Sequence, residues 1–330
     1  MAEAPPPLAR AIGQLSTSTW AYAALGALIE TGVLELLNEP STPALLSERT
    51  RLAQPLIKAL LDVGVALGLV TNTAAGYQAT EGVLNQLQSP AARGQRLFIR
   101  SDILQTSDLL QRARAGTLKP GWYYTDPDIL NSQGIGSGAV MESLCRDIVP
   151  NLDGLPERLS APSAQFLDVG AGVGGICIAL ARLWPNLRVV GLEPAAAPRE
   201  EARRNIADAG VAERIELRPI RLDELTDVEC FEAGWLPQVF LPLEVLHRSL
   251  GPFYQSIKPG GWGILFALSA DGTELAPSVS RLRNVLWGGE PHPPQAVADL
   301  LTNAGFERVR IEAAGGISGA SLIIGRKPDV

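Results

Sequence analysis

A glycine-rich loop directly after an apolar strand constrains this chain more than any other feature. Residues 166–169 (Phe-Leu-Asp-Val) form a short apolar run, and glycines follow at positions 170, 172, 174 and 175, where a helical pattern over 175–184 begins. Glycine lets the backbone adopt unusual dihedral angles and approach a ligand closely. The pattern therefore predicts a strand, a ligand-binding loop and a helix, in that order.

Strands and helices alternate through the rest of the chain. Strands are predicted at 166–169, 188–192, 215–217, 231–236, 262–268, 308–312 and 320–324. A helix is predicted from about Ser137 to Ile148, before the first strand, and a turn at Lys258–Gly261, before the fifth. The last two strands flank a glycine-rich turn at 315–319 and should form a closing antiparallel hairpin. Alternation of strands with helices produces a mostly parallel sheet covered on both faces. We therefore expect an α/β, Rossmann-like, seven-stranded sheet.

Helical periodicity dominates residues 8–115. Short helices are predicted at 32–37 and 44–49, and an amphipathic helix at Pro55–Gly68 precedes a hairpin turn at 71–76. Helix, turn, helix and hairpin is the order of a winged-helix domain. We expect an N-terminal, mainly helical, winged-helix-like domain over residues 1–110 and a second domain over 111–330.

The glycine loop fits two kinds of cofactor, which the neighbouring carboxylates distinguish. Its spacing satisfies the dinucleotide pattern G-x-G-x-x-G. Asp168, however, lies two residues before the first glycine, where it would repel a pyrophosphate and attract an ammonium or sulfonium group. Glu193 ends the second strand, in position to accept hydrogen bonds from ribose hydroxyls. A cationic adenosyl cofactor is therefore favoured over a nicotinamide dinucleotide.

The ordered motifs resemble those of class I S-adenosylmethionine-dependent methyltransferases. Phe166-Leu-Asp-Val-Gly-Ala-Gly-Val-Gly-Gly175 resembles the first motif, Val190-Gly-Leu-Glu-Pro194 the second, and Lys258-Pro-Gly-Gly261 a later one. The N-terminal half resembles the winged-helix dimerisation region of small-molecule O-methyltransferases, through Gly32–Leu37 and Leu61–Val70. The resemblance implies S-adenosyl-L-methionine as cofactor, a methyltransferase sheet and a homodimer.

The resemblance also implies which residues hold the cofactor. Asp168, Gly170 and Gly172 would line its methionine half, Glu193 would take the ribose diol, and Pro194 would touch adenine. The remaining implied contacts are Arg221, Leu222 and Asp223 beside the adenine, Trp235 and Leu236 beside the sulfonium, and Tyr124 and Gln133 from the preceding segment.

The acceptor side is less defined by sequence. Trp122 and Tyr123 form either an apolar lid over a flat acceptor or ordinary packing, and Met141 and Trp287 are either pocket or core residues. The resembled enzymes commonly keep a His-Asp pair after the fourth strand. Here that region reads Gln238-Val-Phe-Leu-Pro242. The candidate bases are then His247, more simply explained as solvent-facing, and His292, more simply explained as part of a surface loop.

Composition and charge limit the kinds of partner that this chain is expected to bind. The net charge is −7, and residues 1–90 hold four basic and seven acidic residues, so nucleic-acid binding is not expected. The sequence contains no Cys/His cluster that would predict a metal site, and the three cysteines should be reduced thiols.

Residues 1–7 lack a secretory pattern and no run is long enough to span a membrane, which favours a cytoplasmic location. Charged residues make up only 19%, in keeping with a buried subunit interface.

Three functions follow from these patterns. The first is methyl transfer to a small, aromatic or polyketide-like secondary metabolite without the usual His-Asp base. The second is a non-methylating rearrangement or cyclisation that uses the charge of the bound cofactor. The third, a cofactor-sensing DNA-binding regulator, is disfavoured by the acidic N-terminal domain.

Overall fold

The computed structural model describes residues 7–268, 271–314 and 319–329, and the chain divides into two compact units, Met1–Thr106 and Ser107–Val330. Residues 1–6 and four of the five residues of the predicted turn at 315–319 lie outside the described ranges. Among the described residues, no helix is long and apolar enough to cross a membrane.

The first unit consists of helices and one small hairpin. Its elements are α1 (Pro7–Glu30), α2 (Pro43–Thr50), α3 (Gln54–Ala66), β1 (Val70–Thr73), β2 (Gly76–Ala79), α4 (Val83–Gln88) and the beginning of α5 (Pro90–Ala115). β1 and β2 pair antiparallel. A buried cluster that includes Leu28, Leu46 and Leu61 joins α1, α2 and α3. The predicted helix at 32–37 is wrong: Gly32 adopts φ +72°, which ends the helical path, and only a 3-10 turn at Glu35–Asn38 follows.

The second unit is a helix-covered sheet. After α5 its elements are α6 (Pro127–Asp147), α7 (Leu155–Ser160), β3 (Gln165–Val169), α8 (Gly175–Leu183), β4 (Arg188–Leu192), α9 (Ala196–Asp208), β5 (Ile215–Arg218), β6 (Phe231–Pro237), α10 (Leu243–Ser256), β7 (Ile257–Leu268), α11 (Leu275–Trp287), α12 (Pro294–Asn303), β8 (Glu307–Ala313) and β9 (Ala320–Arg326).

The sheet has the strand order β5-β4-β3-β6-β7-β9-β8. β3 to β7 run parallel, and β9 runs antiparallel to both of its neighbours. All seven residues of β6 are buried, because helices cover both faces of a parallel sheet. The predicted α/β class, the seven-stranded sheet and the closing hairpin strands are confirmed.

Three elements of the second unit differ from the sequence-based expectation. α6 begins at Pro127, ten residues before the predicted start at Ser137, because Asp126 caps it by accepting a hydrogen bond from the Asp128 amide (2.8 Å). The predicted turn at Lys258–Gly261 lies inside β7, which begins at Ile257, and a register irregularity there accommodates it. α11 was not predicted at all.

Candidate active site

The glycine loop between β3 and α8 is held open by backbone conformations that favour glycine. Gly170, Gly172 and Gly174 have φ values of +71°, +55° and +81°. The amides of Gly170 and Ala171 both donate to the carbonyl of Leu192 at 2.9 Å, which fixes the loop to the end of β4. Substitution at these glycines would strain the backbone. The loop therefore has the shape that sequence predicted for a ligand-binding turn.

α6 lies directly on this loop. A side-chain carbon added at Gly175 would overlap the carbonyl of Gly134, and one added at Gly138 would overlap the carbonyl of Gly175. Asn205 on α9 ties the arrangement together, since its Nδ2 donates to the Val173 carbonyl at 3.0 Å. Glycines in α6 are thus required by the close approach of two backbones.

Glu193 is a fixed carboxylate at the end of β4. It is 8% exposed. Its Oε2 accepts from the Gly172 amide at 3.0 Å and its Oε1 accepts from the Ala195 amide at 2.8 Å. Burial raises the pKa of Glu193, and the two backbone amides oppose that shift. Each oxygen keeps a free lone pair, so the carboxylate can still accept from two neighbouring hydroxyls of a ribose.

Asp168 is the second acidic group of the loop and is completely buried. Its Oδ2 accepts from the Cys177 thiol at 3.0 Å, whereas Oδ1 has no hydrogen-bond partner among the described residues. Burial raises the pKa of Asp168 to about 7, the Cys177 hydrogen bond opposes the shift, and the charge of Glu193 adds to it. An unpaired carboxylate oxygen at this depth suits a ligand that brings a cationic or hydrogen-bond-donating group.

The carboxyl end of β6 completes the site opposite β4. Asp168 and Trp235 are register partners on neighbouring strands, and the ring of Pro237 lies 3.7 Å from the position of a side chain on Gly170. β4 and β6 lie on opposite sides of β3 in the sheet, so the strand order reverses its direction at β3. Ligands of open α/β sheets bind at such a switch point.

Three polar side chains with unpaired buried atoms lie directly after β6, within α11 and in the loop after α11. They belong to Gln238, Asn284 and His292, and the unpaired atoms are Gln238 Oε1, both amide atoms of Asn284, and His292 Nε2. Gln238 Nε2 donates to the Glu290 carbonyl at 2.9 Å, and His292 Nε2 lies 3.5 Å from Glu290 Oε2 without a hydrogen bond. Neither Gln238 nor Asn284 was among the site residues predicted from sequence. The signal for Gln238 in the sequence was that it is the one polar residue in the otherwise apolar run Pro237–Phe240.

An aromatic cluster stands beside these side chains. The Trp122 and Phe240 centroids are 5.3 Å apart, those of Phe240 and Trp287 are 5.5 Å apart and stacked, and the Trp122 ring meets Tyr124 edge-on at 4.8 Å. Burial raises the pKa of the Tyr124 hydroxyl. The structure therefore brings the predicted Trp122, Tyr124 and Trp287 together, and it adds Phe240.

Other predicted site residues lie elsewhere. Tyr123 is 48% exposed, and the Lys119 ammonium lies 4.3 Å from its ring centroid. Met141 and Trp235 both line a small apolar cavity in the core beneath α6. Gln133 lies on α6 next to Gly134, where α6 meets the glycine loop.

The residues proposed to flank the adenine divide into two groups. Leu222 and Leu236 belong to a buried core cluster and present almost no surface to a ligand, since they are 4% and 0% exposed. Asp223 accepts from Arg221 at 2.9 Å and pairs with Arg248 at 2.9 Å, and the hydrogen bond from Arg221 is the main cause that lowers its pKa. Pro194 is exposed at the end of β4.

The two histidines differ in position. His247 is exposed on α10. His292, by contrast, is partly buried in the loop before α12, two residues after the carbonyl that Gln238 contacts. Within the described ranges no group of three His, Cys, Asp or Glu side chains could hold a metal ion.

Comparison with known proteins supports a methyltransferase domain. Residues 166–261 match the model of a family described as a methyltransferase domain. No curated protein matches the chain. The match confirms the predicted resemblance for the segment that carries the glycine loop, Glu193 and the end of β6.

Solved structures match almost the whole chain. The S-adenosylmethionine-dependent methyltransferase SibL is 23% identical, with a TM-score of 0.66 and coverage of 96% of this chain and 99% of SibL. The pyocyanin biosynthetic protein PhzM is 18% identical, with a TM-score of 0.69 and coverage of 97% and 99%. Human N-acetylserotonin methyltransferase in complex with S-adenosylmethionine is 18% identical, with a TM-score of 0.64 and coverage of 99% and 100%. At these identities the likeness establishes the methyltransferase fold.

Proposed function

Because the chain carries a methyltransferase domain over residues 166–261 in a methyltransferase fold, we propose that it is an S-adenosylmethionine-dependent methyltransferase of small aromatic secondary metabolites. The observation that carries the proposal is the pair of buried carboxylates at the glycine loop. Glu193 is held by two backbone amides, and Asp168 has an unpaired oxygen. Two acidic groups at one loop oppose a pyrophosphate and favour a cationic ligand.

The chain's own residues divide the work of holding this cofactor. Glu193 would accept from the ribose hydroxyls, Asp168 would pair with the ammonium group, and the backbone of Gly170 and Gly172 would admit the methionine half. When bound, the cofactor supplies an electrophilic methyl group on a sulfonium and retains the electron pair of the broken bond. The Asp168 oxygen needs a cation to offset its burial, which is the physical reason for selectivity.

The acceptor would lie at the ends of β6 and α11, against the cluster of Trp122, Phe240 and Trp287. Flat, apolar rings of this kind favour an aromatic acceptor. Names of two neighbours, N-acetylserotonin methyltransferase and a pyocyanin biosynthetic protein, support the same class. Gln238 follows β6 where a base was expected, so rate acceleration would come mainly from positioning. His292 lies two residues after Glu290, whose carbonyl accepts from Gln238.

The run Gln238-Val-Phe-Leu-Pro242 after β6, where the resembled enzymes keep a His-Asp pair, is compatible with a second function, a non-methylating reaction that uses the bound sulfonium for its charge. One assay separates the two. The protein is incubated with methyl-labelled S-adenosylmethionine and a panel of phenols, aromatic amines and quinones, and products are analysed by mass spectrometry. One S-adenosylhomocysteine released per labelled product supports methyl transfer, whereas unlabelled product formed without cofactor consumption supports the alternative. Calorimetry showing binding of NAD⁺ but not of S-adenosylmethionine would contradict both.

We also propose that the chain forms a homodimer through α1. Only Leu28 of its 24 residues is buried, while Leu8, Ile12 and Trp20 are 72%, 59% and 76% exposed. Exposed apolar helix faces of this size mark association surfaces. Trp20→Glu should shift the mass in sedimentation equilibrium from dimer to monomer. Val228→Glu, at an apolar residue 63% exposed in the second unit, is the matched control and should leave the mass unchanged.

A further inference from the structure

Two carboxamide side chains are buried without the hydrogen bonds that burial normally requires. Gln238 and Asn284 are both 0% exposed. Gln238 Nε2 donates to the Glu290 backbone carbonyl, whereas its Oε1 has no hydrogen-bond partner among the described residues. Both side-chain amide atoms of Asn284, Oδ1 and Nδ2, also lack a hydrogen-bond partner there. Buried polar atoms are nearly always paired in native proteins, so each exception needs a reason.

The two amides belong to one small region. The backbone amide of Gly289 donates to the backbone carbonyl of Asn284 at 3.0 Å, and the backbone carbonyl of the next residue, Glu290, accepts from Gln238 Nε2. A side-chain carbon added at Gly289 would lie 2.7 Å from Asn284 Oδ1 and would also overlap the Val239 carbonyl. The segment 288–290 is thus packed between the two amides.

This region adjoins both the cofactor loop and the aromatic cluster. Gln238 directly follows Pro237, whose ring lies 3.7 Å from the side-chain position of Gly170. Phe240 is two residues beyond Gln238, and its ring stacks on Trp287, which lies one helical turn after Asn284. The unpaired polar atoms and the aromatic rings therefore belong to the same two segments, the one that follows β6 and the last turn of α11.

A purely structural role explains these amides poorly. An amide retained for stability would be paired, because replacing an unpaired buried polar group with an apolar group of similar shape is neutral or stabilising. Sites that recognise a polar substrate keep such groups unpaired until the substrate arrives, and they reject analogues that lack the matching atoms.

We propose that Gln238 and Asn284 recognise the acceptor through a neutral edge that carries an N–H donor beside a C=O acceptor, as in an aromatic lactam or carboxamide. Each side-chain amide presents a donor and an acceptor, whichever way it is turned, and neither carries a charge. This inference deepens the proposed function and rests on it, since it names the acceptor class of the same site. Both residues act by positioning the acceptor.

The test compares two flat probes by calorimetry on protein saturated with S-adenosylhomocysteine. 2-Quinolone carries the N–H and C=O edge, while quinoline has a ring nitrogen alone. Wild type should bind 2-quinolone at least about tenfold more tightly, because a lost hydrogen bond to a buried group costs roughly that factor. Asn284→Leu should bring the two affinities to within about twofold, and the exposed Asn303→Leu should leave the preference intact.

Two further measurements keep the result interpretable. Asn284→Leu should melt at the same temperature as wild type or higher in the absence of ligand, and Gln238→Leu repeats the test if the first variant fails to fold. Equal affinity of wild type for both probes, including no binding of either, would overturn the inference, as would an unchanged preference in both variants. Failure of wild type to bind S-adenosylhomocysteine would instead overturn the proposed function.

Discussion

Replacing Asp168 with asparagine isolates the energetic cost of a buried carboxylate in the cofactor loop. The side chain is fully buried, and its pKa is raised to about 7 from an ordinary value of 3.8. Asparagine has nearly the same shape, can still accept from the Cys177 thiol and does not titrate. The substitution therefore removes one charge and changes little of the packing.

The sign of the effect follows from proton binding. A carboxyl whose pKa is higher in the folded protein binds its proton more tightly there, so its contribution to stability is greatest at low pH and is lost as pH rises from about 4 to about 7. Between pH 5 and pH 8, the two pKa values correspond to a loss of roughly 3 kcal/mol in the free energy of unfolding. That is a large fraction of the total stability of an ordinary protein.

Urea unfolding of the wild type and Asp168→Asn, followed by circular dichroism from pH 5 to pH 8, measures this loss. The free energy of unfolding of the variant minus that of the wild type should rise by about 3 kcal/mol across the range, since only the wild type loses stability through this group. Asp208→Asn, at an exposed carboxylate that ends α9, is the matched control. A difference that stays flat with pH, or a variant less stable than wild type at pH 8, would refute the reasoning.

The same carboxylate couples pH to ligand binding. If Asp168 pairs with the ammonium group of S-adenosylhomocysteine, wild-type affinity should fall by up to about tenfold per pH unit below pH 7, because the carboxyl must lose its proton first. The variant should bind weakly at every pH. Equal affinities of the two proteins at pH 8 would show that Asp168 does not contact the cation.

Three other substitutions probe the site. Glu193→Ala leaves two backbone amides without their acceptor and should weaken S-adenosylhomocysteine binding at least tenfold by calorimetry, whereas Glu200→Ala on the exposed side of α9 should not. Gly175→Ala overlaps a carbonyl of α6 and should lower the free energy of unfolding by about 1–3 kcal/mol, while Gly251→Ala in α10, where a side chain meets nothing within 4 Å, should be neutral or stabilising. His292→Gln should retain turnover within about tenfold if positioning dominates, and a fall of about a hundredfold or more would identify this histidine as a base.

The sheet could be predicted because its signals are local. Short apolar runs separated by helical patterns identified the strands, and the glycines at 170, 172 and 174 identified the loop that the positive φ values require. The antiparallel closing strands followed from a tight turn between two apolar runs. These features depend on residues close together in sequence, where periodicity and glycine are informative.

The parts that sequence did not show depend on contacts between distant segments. The glycine-containing α6 has weak intrinsic helical propensity, and its close packing on the loop, through Gly134 and Gly138, supports the helix there together with the Asp126 cap. Burial of Gln238 and Asn284 cannot be deduced from composition, because amides are usually exposed. The side chain of Leu222 packs into the core, which the motif alone did not reveal.

The position of β9 has a consequence for synthesis of the protein. β9 is the last strand in the sequence, but it lies between β7 and β8 inside the sheet. The edge of β7, most of whose residues are buried in the finished fold, therefore stays unpaired until residue 326 has emerged from the ribosome. Unpaired apolar edges recruit other chains. A premature stop before residue 320 would leave that edge permanently open, so such truncated chains should aggregate rather than accumulate as partly active protein.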